Sequence, residues 1–131
     1  MSWGGLFAVG AGAAIGAWLR WWLGILLNPL FPTLPLGTLA ANLGGGLMMG
    51  VAMEVITRHT VVPPEMRLLL TTGFLGGLTT FSTFSAEMTT LLLRREWLWT
   101  VLGIGVHVAG SIVLTVAGIL LARSLYAWSA P

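Results

Sequence analysis

Four long apolar stretches, separated by charged residues or prolines, constrain what this chain can fold into more than any other feature. They cover about residues 3–27, 36–56, 64–93 and 97–122. A helix that rises about 1.5 Å per residue needs about 20 apolar residues to cross the hydrocarbon core of a bilayer. Each stretch reaches that length. The sequence therefore predicts an all-α membrane protein in which a single domain contains four transmembrane helices.

Composition supports a lipid-embedded chain and excludes several other classes. Of the 131 residues, 56% are hydrophobic and only 8% are charged, and a soluble domain with this balance would expose large apolar patches. The six cations are too few to follow a phosphate backbone, so nucleic acid is not an expected partner. The sequence has no cysteine and therefore neither a disulfide framework nor a thiolate metal site. It also contains no catalytic triad or pair of catalytic carboxylates, so we do not expect an enzyme.

The arginines give no preferred orientation in the membrane, although arginines near span ends normally decide which side stays in the cytoplasm. Four spans put both termini and the second connector on one side. The six arginines divide equally, with Arg58, Arg67 and Arg123 on that side and Arg20, Arg94 and Arg95 on the other. This tie predicts insertion in both orientations. An antiparallel, dual-topology homodimer with a two-fold axis in the membrane plane would use both.

The third stretch contains a segment that is unsuited to a continuous helix. Residues 73–85, GFLGGLTTFSTFS, combine three glycines with a cluster of hydroxyl side chains. Each glycine weakens a helix by about 1 kcal/mol relative to alanine, and hydroxyls can satisfy backbone groups that a break sets free. We therefore predict two half-helices that meet near Gly76 to Thr79. Broken helices hold ions in channels and transporters, and a kink that serves packing alone is the alternative.

Two phenylalanines follow the expected break. Phe81 and Phe84 are three residues apart and share one helical face. Because an aromatic ring has a positive edge, two ring edges can face an anion without a full charge that would hold it there. Phenylalanines in a span also commonly face lipid or pack in the core, and both interpretations remain open at this point.

Polar side chains recur at helical spacing in the second and fourth stretches. Thr38 and Asn42 share one face of the second stretch, and His107, Ser111 and Thr115 share one face of the fourth. The Asn42 amide can donate to an anion or join two helices, a bond worth about 0.6 to 2 kcal/mol. His107 can titrate, but a neutral histidine that is hydrogen-bonded within the bundle is the commoner outcome.

Two charged residues complete the candidate site. Arg20 can lie in an electropositive vestibule, or its side chain can reach out to lipid headgroups. Glu87 lies one turn beyond the phenylalanines and can pair with Arg20 or with Arg94. Charged groups inside a bilayer are costly and commonly mark ion pathways.

Three motifs resemble the Fluc (CrcB) family of fluoride channels. They are GAAIGAWLRW at residues 12–21, PLGTLAANLGGGLMMG at residues 35–50 and TGFLGGLTTFSTFSAE at residues 72–87. The third motif is the most specific, because it combines a glycine pair, a hydroxyl cluster and Phe-x-x-Phe. The resemblance implies a multi-pass protein of the plasma (inner) membrane that exports fluoride passively from the cytoplasm.

The resemblance also implies roles for particular residues in an antiparallel dimer with two narrow pores. The expected anion pathway comprises Asn42, Phe81 and Phe84 with a polar track of Thr38, Ser82, Thr83, Ser111 and Thr115. A structural sodium ion is expected on the two-fold axis, where the backbone carbonyls of Gly76 and Thr79 from both subunits would hold it. Oxygen ligands suit a hard cation, and the charge of the sodium ion would lower the free energy needed to bring fluoride into the membrane nearby.

Two alternatives are weighed against the channel. A small multidrug-type proton-coupled exporter is also a dual-topology dimer of four-span chains, but it needs a carboxylate in the first span. That stretch contains none, and its one charge is Arg20. The other alternative is a non-transporting packing subunit, which would tolerate replacement of the hydroxyls in the third stretch.

Overall fold

The computed structural model describes residues 2–59 and 61–129, which form helices and short connectors without any strand. The α-helices are α1 (Trp3–Leu27), α2 (Leu36–Arg58), α3 (Pro64–Leu68), α4 (Gly76–Leu78), α5 (Phe81–Leu93) and α6 (Trp97–Ser129). The predicted all-α class is therefore confirmed for the described residues. Three helical stretches in this part of the chain are long and apolar enough to cross a membrane, namely Trp3–Leu30, Leu36–Arg58 and Trp97–Trp128.

Side-chain caps and prolines set the limits of α1 and α2. The Ser2 side chain accepts a hydrogen bond from the Gly5 N–H at 3.0 Å at the start of α1. A short 3₁₀ turn, Asn28–Leu30, follows α1. Pro35, which precedes α2, has no side-chain acceptor to offer, but Asn28 Oδ1 accepts from the Gly37 N–H at 2.8 Å. A residue of the connector thus caps α2 in place of its own N-terminal neighbour.

α2 packs mainly against α6, and small residues permit the close approach. A Cβ atom added to Gly118 would overlap the Leu47 carbonyl oxygen and lie 3.0 Å from the Val51 nitrogen. Lipid gives no hydrophobic drive for helix association, so close backbone contact of this kind supplies much of the attraction. The α2–α6 pair is therefore specified by glycine positions, as expected for a membrane bundle.

Residues 64–93 follow a less regular path along α1. A π-helix, Leu69–Leu75, joins α3 to α4, and Gly16 of α1 lies so close to this segment that a Cβ would overlap the Phe74 carbonyl oxygen. Thr79 and Thr80 between α4 and α5 have extended backbone, with ψ angles of 154° and 118°. Helical structure thus stops after Leu78 and resumes at Phe81, with the Thr80 hydroxyl accepting from the Thr83 N–H at 3.1 Å as the cap of α5.

The turn between α5 and α6 is tight. Arg95 has a positive φ of 62°, and the N–H groups of Arg95 and Glu96 donate to the carbonyls of Leu92 and Leu91, each at 3.0 Å. This pattern is a Schellman motif, in which the last carbonyls of a helix are satisfied by the residues that leave it. α6 then continues to Ser129, beyond the predicted end near residue 122.

Candidate functional site

The Asn42 side chain hydrogen-bonds to the backbone at the interruption between α4 and α5. The Thr80 N–H donates to Asn42 Oδ1 at 2.7 Å, and Asn42 Nδ2 donates to the Thr80 carbonyl at 3.1 Å. Thr80 is 8% exposed, so neither of these backbone groups can rely on water. One amide from α2 therefore hydrogen-bonds to both backbone groups of Thr80, the residue that precedes the resumed helix.

His107 of α6 meets the same amide from the other side. Its Nδ1 atom lies 3.1 Å from Asn42 Nδ2, and the residue is 3% exposed. Its Nε2 atom is buried without a hydrogen-bond partner in the described part of the chain. Asn42 thus joins α2 to the start of α5 and to α6 at a single point, and both of its N–H groups are engaged.

Phe81 and Phe84 lie beside this point in unequal environments. Their ring centroids are 5.5 Å apart, and the Phe84 ring lies 4.7 Å from the His107 ring. Phe84 is buried at 7% exposure, whereas Phe81 is 78% exposed on the surface of the single chain. The pair therefore runs from the interior of the bundle to its outer face.

Two cavities meet at the phenylalanine pair. The first, of about 360 Å³, is lined by Asn42, Thr79, Thr80, Phe81, Phe84, His107, Ser111 and Thr115 together with apolar neighbours. The second, of about 400 Å³, lies further along α5 and includes Phe81, Phe84, Ser85, Thr89 and Thr100. None of the described lining residues of either cavity carries a full charge. The two rings thus stand between two neutral, partly polar spaces.

The structure places the predicted pathway residues other than Ser82 in two separate cavities. Asn42, Phe81, Phe84, Ser111 and Thr115 share the first cavity, in which the Thr115 hydroxyl is 3.0 Å from the Gly46 carbonyl and 2.8 Å from the Ser111 carbonyl. Thr38, Thr83 and Arg20 instead line a third cavity of about 350 Å³ between α1, α2 and α5. Ser82 is exposed, with its Oγ 3.3 Å from the Thr80 hydroxyl. Helical spacing alone did not separate these groups.

Comparison with known proteins places these features in a family. A family model described as "CrcB-like protein, Camphor Resistance (CrcB)" matches residues 7–119. A "Fluoride-specific ion channel FluC" of Nitrosospira multiformis is 62% identical over 120 residues, which cover 92% of this chain and 94% of the relative. The chain belongs to the CrcB-like family. Relatives of the same name from Aromatoleum aromaticum, 62% identical over 85% of both chains, and Cupriavidus metallidurans, 50% identical over 92% of this chain and 96% of the relative, agree. A multi-pass membrane protein follows from this membership and the apolar helices.

Glu87 of this CrcB-family chain has a different partner from those considered above. Its Oε1 atom accepts from the Thr38 hydroxyl at 2.5 Å, and its Oε2 atom is buried without a partner in the described residues. Arg20 Nε donates to the Gly77 carbonyl at 3.1 Å. The ion pairs found among residues 2–59 and 61–129 both involve Glu54, so the pairings of Glu87 with Arg20 or Arg94 do not form.

The carbonyls of Gly76 and Thr79 are among the backbone carbonyls that lose their helical donors at the interruption. In a continuous helix the Thr80 N–H would bond to the Gly76 carbonyl and the Thr83 N–H to the Thr79 carbonyl. Here these N–H groups donate to Asn42 Oδ1 and to the Thr80 hydroxyl instead. No other hydrogen bond from a described residue reaches either carbonyl, and Gly76 lies on the exposed surface. These two carbonyl oxygens are therefore without a hydrogen-bond donor among the described residues.

The sequence pattern placed Thr80 on a helical face that could line the path but did not identify it as the cap of the resumed helix, and it left the role of His107 open. Thr80 is a hydroxyl residue directly before the resumed helix, which is the sequence pattern of an N-cap. That pattern could have identified Thr80 as the boundary. No comparable signal pairs His107 with Asn42, because 65 residues separate them along the chain.

Proposed function

We propose that this CrcB-family protein is a fluoride-selective channel through which fluoride leaves the cytoplasm passively across the inner membrane. The observation that carries the proposal is the Phe81–Phe84 pair, placed between two uncharged cavities beside an interrupted helix. Relatives named as fluoride-specific ion channels, identical at up to 62% of positions, support it. The protein acts as a channel and not as an enzyme.

Selectivity follows from the chemistry of these linings. Fluoride is small and strongly hydrated, so a pore must replace its water with many weak donors. Ring edges, hydroxyls and oriented amides attract an anion without binding it as tightly as an arginine would. Asn42, Ser111 and Thr115 line one side of the rings. Because both Asn42 N–H groups are engaged with Thr80 and His107, Asn42 acts there by holding the lining in place, and narrowness at the rings excludes chloride.

Arg20 forms the charged approach to this path. It shares its cavity with Thr38 and Thr83, and the Thr38 hydroxyl bonds to Glu87. The cationic side chain of Arg20 would raise the local concentration of anions before they enter the uncharged cavities beside Phe81 and Phe84. Ser82 and Thr83 extend the polar track from the start of α5.

The working unit is an antiparallel, dual-topology homodimer with two pores. Residues 64–93 form the third of four spans in each subunit, interrupted at membrane depth by Thr79 and Thr80. Phe81, at 78% exposure, would face lipid in a single chain, so a second copy is needed to close the path beside it. The equal division of arginines between the two sides supports insertion in both orientations.

A structural sodium ion is part of the same proposal. The carbonyls of Gly76 and Thr79 are free to act as ligands, and two subunits related by a two-fold axis would supply four oxygens. Carbonyl oxygens suit a hard cation of this kind. The ion would supply fixed positive charge at the dimer centre and would hold the two interruptions together.

Reconstituted vesicles test the proposal directly. Liposomes that contain purified protein and potassium fluoride, with valinomycin as a potassium shunt, should release fluoride rapidly, as measured by an external electrode. The same liposomes loaded with potassium chloride should release no chloride. The double variant Phe81→Ile and Phe84→Ile should abolish fluoride release, because it removes both ring edges while keeping apolar bulk.

Phe7→Ile is the matched control, because Phe7 is an exposed ring at 76% on α1, away from the cavities, and this variant should conduct as the unmodified protein does. A fluoride gradient that persists with unmodified protein would refute the channel. Retained release by the double variant would remove the role of the rings.

A further inference from the structure

We infer that His107 is the positioning residue of this pathway: as a neutral imidazole protonated at Nε2, it holds the Asn42 amide and the Phe84 ring in register. The inference deepens the proposed function and depends on it for the transport consequence. Three contacts carry it, and all lie where α2, α5 and α6 meet.

The orientation of the Asn42 amide is fixed by the Thr80 backbone. Of the two ends of a side-chain amide, a backbone N–H can pair only with the oxygen, and a backbone carbonyl can pair only with the NH₂ group. Because the Thr80 N–H lies 2.7 Å from Asn42 Oδ1, the amide cannot be reversed. Asn42 Nδ2 therefore points one N–H at the Thr80 carbonyl, 3.1 Å away, and its second N–H is left to meet His107.

This second N–H determines which nitrogen of His107 carries the proton. Nδ1 lies 3.1 Å from Asn42 Nδ2 and can pair with it only as an acceptor, so the proton is on Nε2. With the proton on Nδ1, two N–H groups would face each other in a buried site. Nε2 is buried without a partner among the described residues, so the contact with Asn42 is the hydrogen bond among these residues that decides where the proton lies.

The same imidazole also touches the pathway ring. The Phe84 ring packs at 4.7 Å from the His107 ring, and the imidazole is 3% exposed, so its position is fixed by its neighbours. Through one hydrogen bond and one ring contact, His107 therefore holds the Asn42 amide and the Phe84 ring in fixed positions relative to α6. Small misplacements of groups that act on a reacting or permeating species have large effects on rate.

The protonation state can be tested in the unmodified protein. The chain has two histidines, so ¹⁵N-histidine labelling in lipid bilayers gives two ring systems, and His59→Gln removes one to assign them. We expect the His107 signals of an unprotonated Nδ1 and a protonated Nε2. Protonation at Nδ1 would overturn the inference, whether or not the protein conducts fluoride.

The positioning role can be tested by fluoride efflux from vesicles. His107→Leu keeps apolar bulk but removes the acceptor, and we expect fluoride release to fall by about tenfold. His107→Asn places an oxygen close to the Nδ1 position and should restore release to within about threefold of the unmodified protein. His59→Leu, on a histidine that bonds to Tyr126 at the far end of α2, should leave release unchanged.

The outcomes separate the two proposals. If His107→Leu conducts normally, or if His107→Asn is as impaired as His107→Leu in well-folded dimers, His107 is not a positioning residue. If the unmodified protein conducts no fluoride, the proposed function fails, and the labelling experiment still decides the hydrogen bond.

Discussion

Two polar clusters join the same pair of helices by different chemistry. The central cluster consists of Asn42, Thr80 and His107, and the terminal cluster consists of Glu54, Arg58 and Arg123. In the terminal cluster, Arg58 and Arg123 donate from Nε to the two Glu54 oxygens at 2.7 and 3.0 Å. In the central cluster each contact joins neutral groups. Twelve residues of α2, or roughly 18 Å along its axis, separate Asn42 from Glu54.

The difference follows from depth and from function. Near the end of a span, arginine side chains reach water and headgroups, and both arginines here are about half exposed. At the centre, an ion is costly, and a cation beside an anion path would hold the anion there. The terminal cluster thus fastens α2 to α6, whereas the central cluster fastens them and, in the proposed channel, also shapes the anion path. Four substitutions test this division.

The largest effect is expected at the central cluster. Asn42→Ala leaves the Thr80 N–H and His107 Nδ1 without their partner, and buried unpaired groups cost about 1–3 kcal/mol each. We expect a loss of about 100-fold in fluoride release from vesicles, together with a lower thermal unfolding temperature in detergent. Normal release from this variant would show that the two clusters do not differ in function.

The packing between the clusters should come second. Gly118→Ala places a Cβ against the Leu47 carbonyl oxygen, so α2 and α6 must separate, and overpacking of this kind costs about 1–3 kcal/mol. Gly105→Ala on the same helix is the matched control, since a Cβ there meets nothing within 4 Å and alanine favours the helix by about 1 kcal/mol. Equal unfolding temperatures for the two variants would contradict the assigned contact.

The terminal cluster should affect stability without affecting transport. Glu54→Gln removes the charge that two arginines share, so the unfolding temperature should fall, and fluoride release should stay within about twofold of the unmodified protein. A large loss of release at unchanged dimer content would place Glu54 on the pathway and remove the contrast with Asn42.

The smallest effect is expected outside both clusters. Arg95 has a positive φ of 62°, a conformation that glycine adopts without steric cost. Arg95→Gly should raise the free energy of unfolding by about 0.5–1 kcal/mol and leave transport unchanged. Arg94→Gly, one residue earlier with a φ of −79°, is its control and should give no such gain.

The all-α class of the described residues and the family could be predicted from the sequence, and both are confirmed. Apolar stretches of span length are visible without any knowledge of tertiary contacts, and the three motifs are contiguous in the chain. The candidate site was predicted less completely. Thr83 and Phe84, for example, are adjacent in the chain, yet they line different cavities. Neighbouring positions on a helix point in different directions and therefore face different partners.

By itself, the sequence determined that the chain is helical and lipid-embedded, and it determined where glycines and hydroxyls make a continuous helix unfavourable. These are local properties, set by side-chain hydrophobicity and backbone propensity. Only the tertiary structure decided that Asn42 pairs with Thr80, 38 residues away, and with His107, 65 residues away. Such pairings depend on which helix faces are brought together, and that arrangement is set by the close packing of the whole bundle.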